Sequence, residues 1–329
     1  PGPPGPEIFR QLEAVCKKFK GWFFLWIHGK HFARSPGKKE ISCVLCFNMS
    51  AMFITDFDGT LLTDHRRIRG RDLDTLAGLR SAGVVTVIAT GRSLYSFRRA
   101  LKHMELGPKE LPLDYLIFST GAGIMSWPGD NLIRSCSIPK DGVLEIAACF
   151  DRLGFDYMIH KAIPDTSYFL YKFTSGRNSD FERRIAMYPG FGTPLETAGT
   201  IYDQSTEVLA IVPGRFPREQ LNALRRELSG YSVIQATSPL DHKSSWIEVF
   251  PLGVSKSASS QWLARHLGVG RGMVTAVGND YNDEDLLDWA GQGFLMDNSP
   301  EVMKNKFLSL GSNNECGVSL VAKSAGLLN

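Results

Sequence analysis

Thr55-Asp56-Phe57-Asp58-Gly59-Thr60-Leu61-Leu62 follows directly on the apolar run Met52-Phe53-Ile54. A short run of this kind, rich in large apolar side chains, predicts a strand over Met52–Thr55 that is buried on both faces. In an open parallel sheet the carboxyl ends of the strands face the ligand crevice, so Asp56 and Asp58 stand where a ligand would arrive, and Gly59 lets the chain turn away sharply. Two carboxylates brought to one side repel each other and call for a cation. Taken alone, the stretch reads equally as a strand ending in a side-chain-bonded turn. The choice between the two therefore rests on the rest of the chain.

On the C-terminal side, strand and helix patterns alternate. Asp72–Ala82 places Leu73, Leu76 and Leu79 on one helical face and stops at Gly83. Val84–Ala89 is a β-branched strand, Leu94–Met104 a helix and Leu113–Ser119 a third strand. From about residue 135 the crossover helices thin out, and strands at Tyr157–His160, Tyr168–Phe173, Val208–Val212 and Tyr231–Ala236 predict an α+β insertion. Alternation then resumes with helices at Val254–Leu267 and Asp283–Ala290 and strands at Met273–Val277 and Gly293–Met296. The fold class predicted is α/β: a doubly wound, mostly parallel, Rossmann-like sheet with an inserted α+β domain. The boundaries expected are 49–135 and 245–329 for the sheet domain and 136–244 for the insertion.

Three further stretches carry chemistry. Ala89-Thr90-Gly91-Arg92-Ser93 ends a strand with a hydroxyl and a Gly at a helix start, a natural anion site. Arg92 either grips an anionic group or forms a salt bridge on the helix surface. Gly253-Val254-Ser255-Lys256 opens a later helix and offers one ammonium as a point charge for phosphate. Val277-Gly278-Asn279-Asp280-Tyr281-Asn282-Asp283 ends another strand with oxygen donors suited to a hard cation. Each is weak by itself; all four at strand ends or helix starts, in this order, make a joint signal for phosphoryl chemistry.

This set resembles the haloacid dehalogenase-like hydrolase superfamily, in its Cof-type branch with a type IIB cap, from about residue 52 to about 325. The resemblance implies that Asp56 is the nucleophile, Asp58 the general acid and base, and Lys256 the lysine that neutralises the phosphoryl oxygens. It further implies Mg²⁺ held by Asp56, Asp58 and the 279–283 loop, with Asn279, Asp280 and Asp283 as candidate ligands. Thr90, Gly91, Arg92, Thr120, Gly121 and Asn282 become candidates for phosphate and substrate contact. Glu248-Val249-Phe250-Pro251 is similar to the branch's lead-in to its lysine, and Met296–Ser299 and Asn314–Val318 to its last two loops. The chain departs from the pattern at Asn279, where the branch has an acid, at Thr120, where it has Asn, and at Cys316, where an acid is common. Whether Asn279 or Asp280 holds the metal stays open. The activity implied is hydrolysis of small phosphate monoesters, sugar phosphates first, through an aspartyl-phosphate. A phosphomutase or phosphotransferase would share the same aspartates, and Asn279 also admits a weakly catalytic phosphate-binding module.

Composition bounds the alternatives. The 329 residues are 43% hydrophobic and 22% charged, an ordinary soluble globular balance of two-domain length. Residues 1–48 hold eight Lys/Arg against three acids, a net +5 that leaves −2 for residues 49–329. The body of the chain thus has no electrostatic imprint of nucleic-acid binding. Its greasiest run, Trp22–Ile27, is far below the ~18 residues needed to span a bilayer. Lysines precede that run, but it is too short for a signal peptide and no small-residue cleavage site follows. Residues 1–48 therefore read as an upstream extension with no packed role, or else as a basic, aromatic membrane-surface anchor. Six scattered cysteines form no disulfide framework, and Cys43 with Cys46 is only half of a zinc motif. A cytoplasmic setting and a small-molecule partner are expected.

Overall fold

A computed structural model describes residues 51–129, 131–174 and 176–328. The reading of residues 1–48, with Cys43 and Cys46, lies outside the described residues. No described helix is long and apolar enough to cross a membrane.

In chain order the strands and main helices are β1 (Met52–Thr55), α1 (Gly70–Ser81), β2 (Val85–Ala89), α2 (Leu94–His103), β3 (Tyr115–Phe118), β4 (Gly123–Ser126), β5 (Leu132–Ser135), β6 (Ile138–Pro139), α3 (Lys140–Leu153), β7 (Asp156–Lys161), β8 (Phe169–Lys172), α4 (Ser179–Ala186), β9 (Gly192–Pro194), β10 (Gln204–Val212), α5 (Arg218–Glu227), β11 (Tyr231–Thr237), β12 (Ser245–Pro251), α6 (Lys256–His266), β13 (Val274–Gly278), α7 (Glu284–Trp289), β14 (Gln292–Leu295), α8 (Glu301–Lys304), β15 (Leu308–Ser309) and α9 (Gly317–Ser324). They build two sheets.

The first sheet has the order β15-β14-β13-β1-β2-β3-β4-β5. The strands from β15 to β3 are parallel, and the β4–β5 hairpin extends the edge in antiparallel fashion. Its helices lie on both faces, which is why β1 carries three consecutive apolar residues, Met52, Phe53 and Ile54, rather than alternating. Phe53 packs with Leu76, Leu79, Phe97 and Val321 on one side, while Met52 and Ile54 pack with Leu263, Leu286 and Met303 on the other. The doubly wound arrangement read from the sequence is the one found.

The second sheet, the cap, runs β11-β12-β10-β7-β8-β9, with β6 joined to β10. All its pairings are antiparallel except β8 with β9. One face is covered by α3 and α5 through Val143, Ile146, Leu221 and Leu224. The boundary at residue 245 needs correction. Ser245–Pro251 is a central strand of the cap, paired with β10 on one side and β11 on the other. Its alternation of Ile247, Val249 and Glu248 is that of a sheet strand, which leads on towards Lys256. The β4–β5 hairpin was missed for a similar reason: four-residue strands carry too little periodicity to stand out.

Candidate active site

Asp56 leaves the end of β1 directly beside β13, its N–H donating to Val277 O at 2.9 Å. The following residues form one irregular turn in which Gly59 is left-handed (φ 73°). A Cβ there would lie 2.5 Å from the Asn279 side chain, so both the backbone angle and the close approach demand Gly. The turn brings Asp56, Asp58 and the end of β13 to one place.

Lys256 is the first residue of α6, whose N-terminus is capped by Ser255 Oγ accepting from Ala258 N–H at 3.1 Å. Its ammonium donates to Asp56 Oδ1 and to Asp283 Oδ1, both at 2.6 Å. Lys256 is 1% exposed, Asp56 4% and Asp283 0%, so this ion triad is sealed from water. Burial pushes the Asp56 carboxyl up to about 7; Lys256 opposes this, while Asp283 and Asp58 add to it. For Lys256 burial works against the charge, but Asp283 and Asp56 outweigh it and hold the ammonium well above its usual range.

Asp58 is gripped by Arg92 in a bidentate pair, Nε to Oδ2 at 2.7 Å and Nη2 to Oδ1 at 2.6 Å. The guanidinium also lies 5.5 Å from the Phe57 ring centroid. Arg92 thus faces the aspartates and not the outer helix surface. Thr90 is buried at the end of β2, its Oγ1 accepting from Arg92 N–H at 3.1 Å.

The 279–283 loop divides its side chains. Asp283 Oδ2 accepts from the N–H groups of Asn279 and Asp280, at 2.9 and 3.1 Å, so both of its oxygens are engaged. Asp280 is not brought to the aspartates: its carboxylate accepts from Thr237 N–H at 2.8 Å and Thr237 Oγ1 at 3.0 Å, on the cap. Asn279 is the residue that reaches in. Turned one way, its Oδ1 accepts from Thr60 Oγ1 at 3.1 Å. Turned the other way, Nδ2 in the same position donates to Thr60 Oγ1, to Asp58 O at 2.9 Å and to Asp56 Oδ2 at 3.3 Å.

These distances test the fit of a metal. Among the described residues no three His, Cys, Asp or Glu side chains gather as a metal cluster. The inward amide position, Asp58 O and Asp56 Oδ2 do form a set of oxygen donors, with edges of 2.9 and 3.3 Å from the amide. An octahedron with Mg–O bonds of ~2.1 Å has edges of ~3 Å. A small hard cation therefore fits with the Asn279 oxygen turned inward; without one, the amino group satisfies the same acceptors. The Asp58 donor in this set is its backbone carbonyl, its carboxylate being held by Arg92.

Thr120, with Ser119, sits in the left-handed region (φ 53° and 47°), a costly conformation for a β-branched residue. It is fixed there by Thr120 N–H donating to Thr90 O at 3.0 Å and Thr120 Oγ1 donating to Glu248 Oε2 at 2.8 Å. Gly121 closes on α6, its carbonyl accepting from Ser259 Oγ at 2.6 Å. Asn282 faces Gly91: its Nδ2 is 3.9 Å from where a Cβ of Gly91 would stand. The last two loops brace the turn after Asp58, with Asn298 Nδ2 donating to Gly59 O at 2.9 Å and Asn314 Nδ2 to Asp64 Oδ2 at 2.9 Å. Sequence reasoning missed Glu248 as a site residue, although it opens the tract that leads to Lys256.

The chain matches the model of the haloacid dehalogenase-like hydrolases over residues 53–321. It is 26% identical over 275 residues to the 5-amino-6-(5-phospho-D-ribitylamino)uracil phosphatase YitU of Bacillus subtilis, covering 82% of this chain and 94% of that one. It is 25% identical over 252 residues to the HMP-PP phosphatase of Shigella flexneri, covering 76% and 85%. Among solved structures, the HAD subclass IIB sugar phosphatase BT4131 superposes with a TM-score of 0.66 at 18% identity, covering 85% of this chain and 100% of that one. BT1666 from Bacteroides thetaiotaomicron does so with 0.66 at 20% identity, covering 89% and 100%. The chain belongs to the haloacid dehalogenase-like hydrolases and has the fold of their subclass IIB, cap included. Within that family it is an enzyme of the phosphatase kind.

Proposed function

We propose that the chain hydrolyses small phosphate monoesters, sugar phosphates among them, in a Mg²⁺-dependent reaction through an aspartyl-phosphate on Asp56. The observation that carries this reading is the buried Asp56–Lys256–Asp283 triad beside the inward amide of Asn279. Asp56 Oδ2, Asp58 O and Asn279 Oδ1 would hold the metal, which when bound supplies positive charge to the phosphoryl oxygens. Asp56 attacks phosphorus, and its new O–P bond replaces the ester bond. Lys256 offsets one of the two negative charges of Asp56 and Asp283, which eases the approach of an anionic ester. The ester phosphate competes with Asp58 for the Arg92 guanidinium, a planar donor made for such oxyanions. Asp58, so released, takes up a proton from solvent, passes it to the departing alkoxide and then takes a proton from the water that cleaves the acyl phosphate, regenerating Asp56 and freeing inorganic phosphate.

Asp56→Asn should lower phosphate release from phenyl phosphate, with Mg²⁺ present, by at least ~10³-fold while leaving the circular-dichroism spectrum unchanged. Appreciable residual turnover would show the nucleophile to lie elsewhere. Phosphate release that matches substrate loss, with no isomeric sugar phosphate formed, separates hydrolysis from a mutase reaction. Asn279 is the observation favouring a second reading, a phosphate-binding module; zero turnover by the wild-type chain across a broad ester panel would select it.

A further inference from the structure

The 279–283 loop faces two ways. Asn279 turns towards Asp56 Oδ2 and Asp58 O, and Asn282 towards Gly91. Asp280 and Tyr281, between them, turn to the cap. Asp280 accepts from both donors of Thr237, the N–H reaching Oδ2 at 2.8 Å and the hydroxyl reaching Oδ1 at 3.0 Å. Arg215 Nη2 donates to the Tyr281 hydroxyl at 3.0 Å, and its guanidinium lies 5.8 Å from the Tyr281 ring centroid. Thr237 is the last residue of β11, the edge strand of the cap sheet, so an N–H pointing off that edge has no further strand to bond. A carboxylate of the sheet domain takes it instead.

The loop backbone joins the two sets. Asp283 Oδ2 accepts from Asn279 N–H and from Asp280 N–H, while Asp283 Oδ1 is held by Lys256. Neighbouring residues pinned to one oxygen do not move independently, so a cap that withdraws with Thr237 pulls on Asp280 and, one peptide away, on Asn279. Arg99 of α2 also grips the cap, donating to Met187 O at 2.9 Å, but from a helix that supplies no donor to the metal set. The tie at Asp280 differs because it adjoins the amide whose oxygen completes that set.

Resting on the phosphatase reading above, we propose that Asp280 is a positioning residue that couples the grip of the cap on Thr237 to the loading of the Asn279 position. With the cap held, Asn279 is fixed within reach of Asp56 Oδ2 and Asp58 O. Coupling between two sites is reciprocal, so Mg²⁺ at the Asn279 position strengthens the hold on Thr237 to the same degree. The cap of the loaded enzyme is thereby kept over the reacting carboxylate, and that of the empty enzyme is released more easily.

Amide hydrogen exchange at Thr237, followed on the full-length chain with and without Mg²⁺ as the sole added ligand, tests this apart from turnover. Mg²⁺ should slow that exchange about fivefold in the wild type. In Asp280→Ala the slowing should vanish and the Mg²⁺ dissociation constant, measured by calorimetry, should rise about fivefold. Thr237→Val keeps the Asp280 charge and removes one donor; it should raise the constant about threefold, and Thr237→Ser, which keeps the hydroxyl, should restore it. A merely structural contact would speed exchange in Asp280→Ala equally with and without Mg²⁺, and that result overturns the proposal. An unchanged constant in Thr237→Val overturns it too, because the loss in Asp280→Ala is then one of charge alone. If Asp280→Ala fails to fold, the two Thr237 variants decide. A wild-type chain that binds no Mg²⁺ overturns the metal set of the phosphatase reading and the coupling with it, whereas Mg²⁺ binding without any response at Thr237 overturns the coupling alone.

Discussion

Lys256 and Glu207 are both more than nine-tenths buried, yet their surroundings differ in kind. Lys256 has two carboxylate partners at 2.6 Å, and the loop N–H groups complete the second of them. Burial and the neighbouring Glu248 hold the Glu207 carboxyl well above its usual range, against Arg184, and His160 beside it keeps an unpartnered nitrogen. Burial in a low dielectric makes every unmade hydrogen bond expensive. The first region answers that cost with its own residues and is therefore preorganised before any ligand arrives. The second leaves that cost standing at His160 Nε2. The Lys256 cluster is thus closed on itself, while the cap face keeps buried polar atoms unpaired.

The largest effect that would break this contrast comes from Lys256→Met. It leaves Asp56 and Asp283 facing each other without a cation, so stability should fall by about 3–5 kcal/mol. The urea midpoint reads this directly, and a loss below 1 kcal/mol would mean the triad is not the closed unit described. Turnover should drop at the same time by ~10²–10³-fold. Next in size, Asn279→Asp adds a charge at the inward position. The Mg²⁺ concentration for half-maximal thermal stabilisation should fall about tenfold, while the metal-free protein loses stability through repulsion with Asp56. An unchanged Mg²⁺ response would remove Asn279 from the metal set.

The smallest effect belongs to the cap face. Burial pushes the Glu248 carboxyl up to about 7, against the opposing influences of Thr120, Lys256 and Arg184. Between about 4.5 and 7 the native chain therefore retains a proton that the unfolded chain has released, and stability falls as pH rises through that window. Glu248→Gln removes this titration, so its melting temperature should decline less between pH 5 and pH 8 than that of the wild type. Parallel profiles would place the titration elsewhere. His160 has the opposite sign: burial depresses it to about 3, so its contribution is lost as pH falls from about 6.5 towards 3. Their windows overlap, and the two residues are separable by the opposite signs of their slopes.

What the sequence determined by itself was local. The apolar run Met52–Ile54 with Asp56, Asp58 and Gly59, the helix start at Gly253–Lys256, and the alternation of strand and helix patterns each depend on neighbours a few positions away. Strand ends and helix starts can be located from such patterns because backbone sterics and capping act over that range. The tertiary structure alone separated Asn279 from Asp280, which are adjacent in the chain and similar in chemistry. One reaches Asp58 O, whereas the other is taken by Thr237, 43 positions away. It likewise assigned Ser245–Pro251 to the cap and placed Glu207 beside His160 on a shared face. Those facts depend on strand order and register, which join residues far apart in sequence through hydrogen bonds that no short-range pattern encodes.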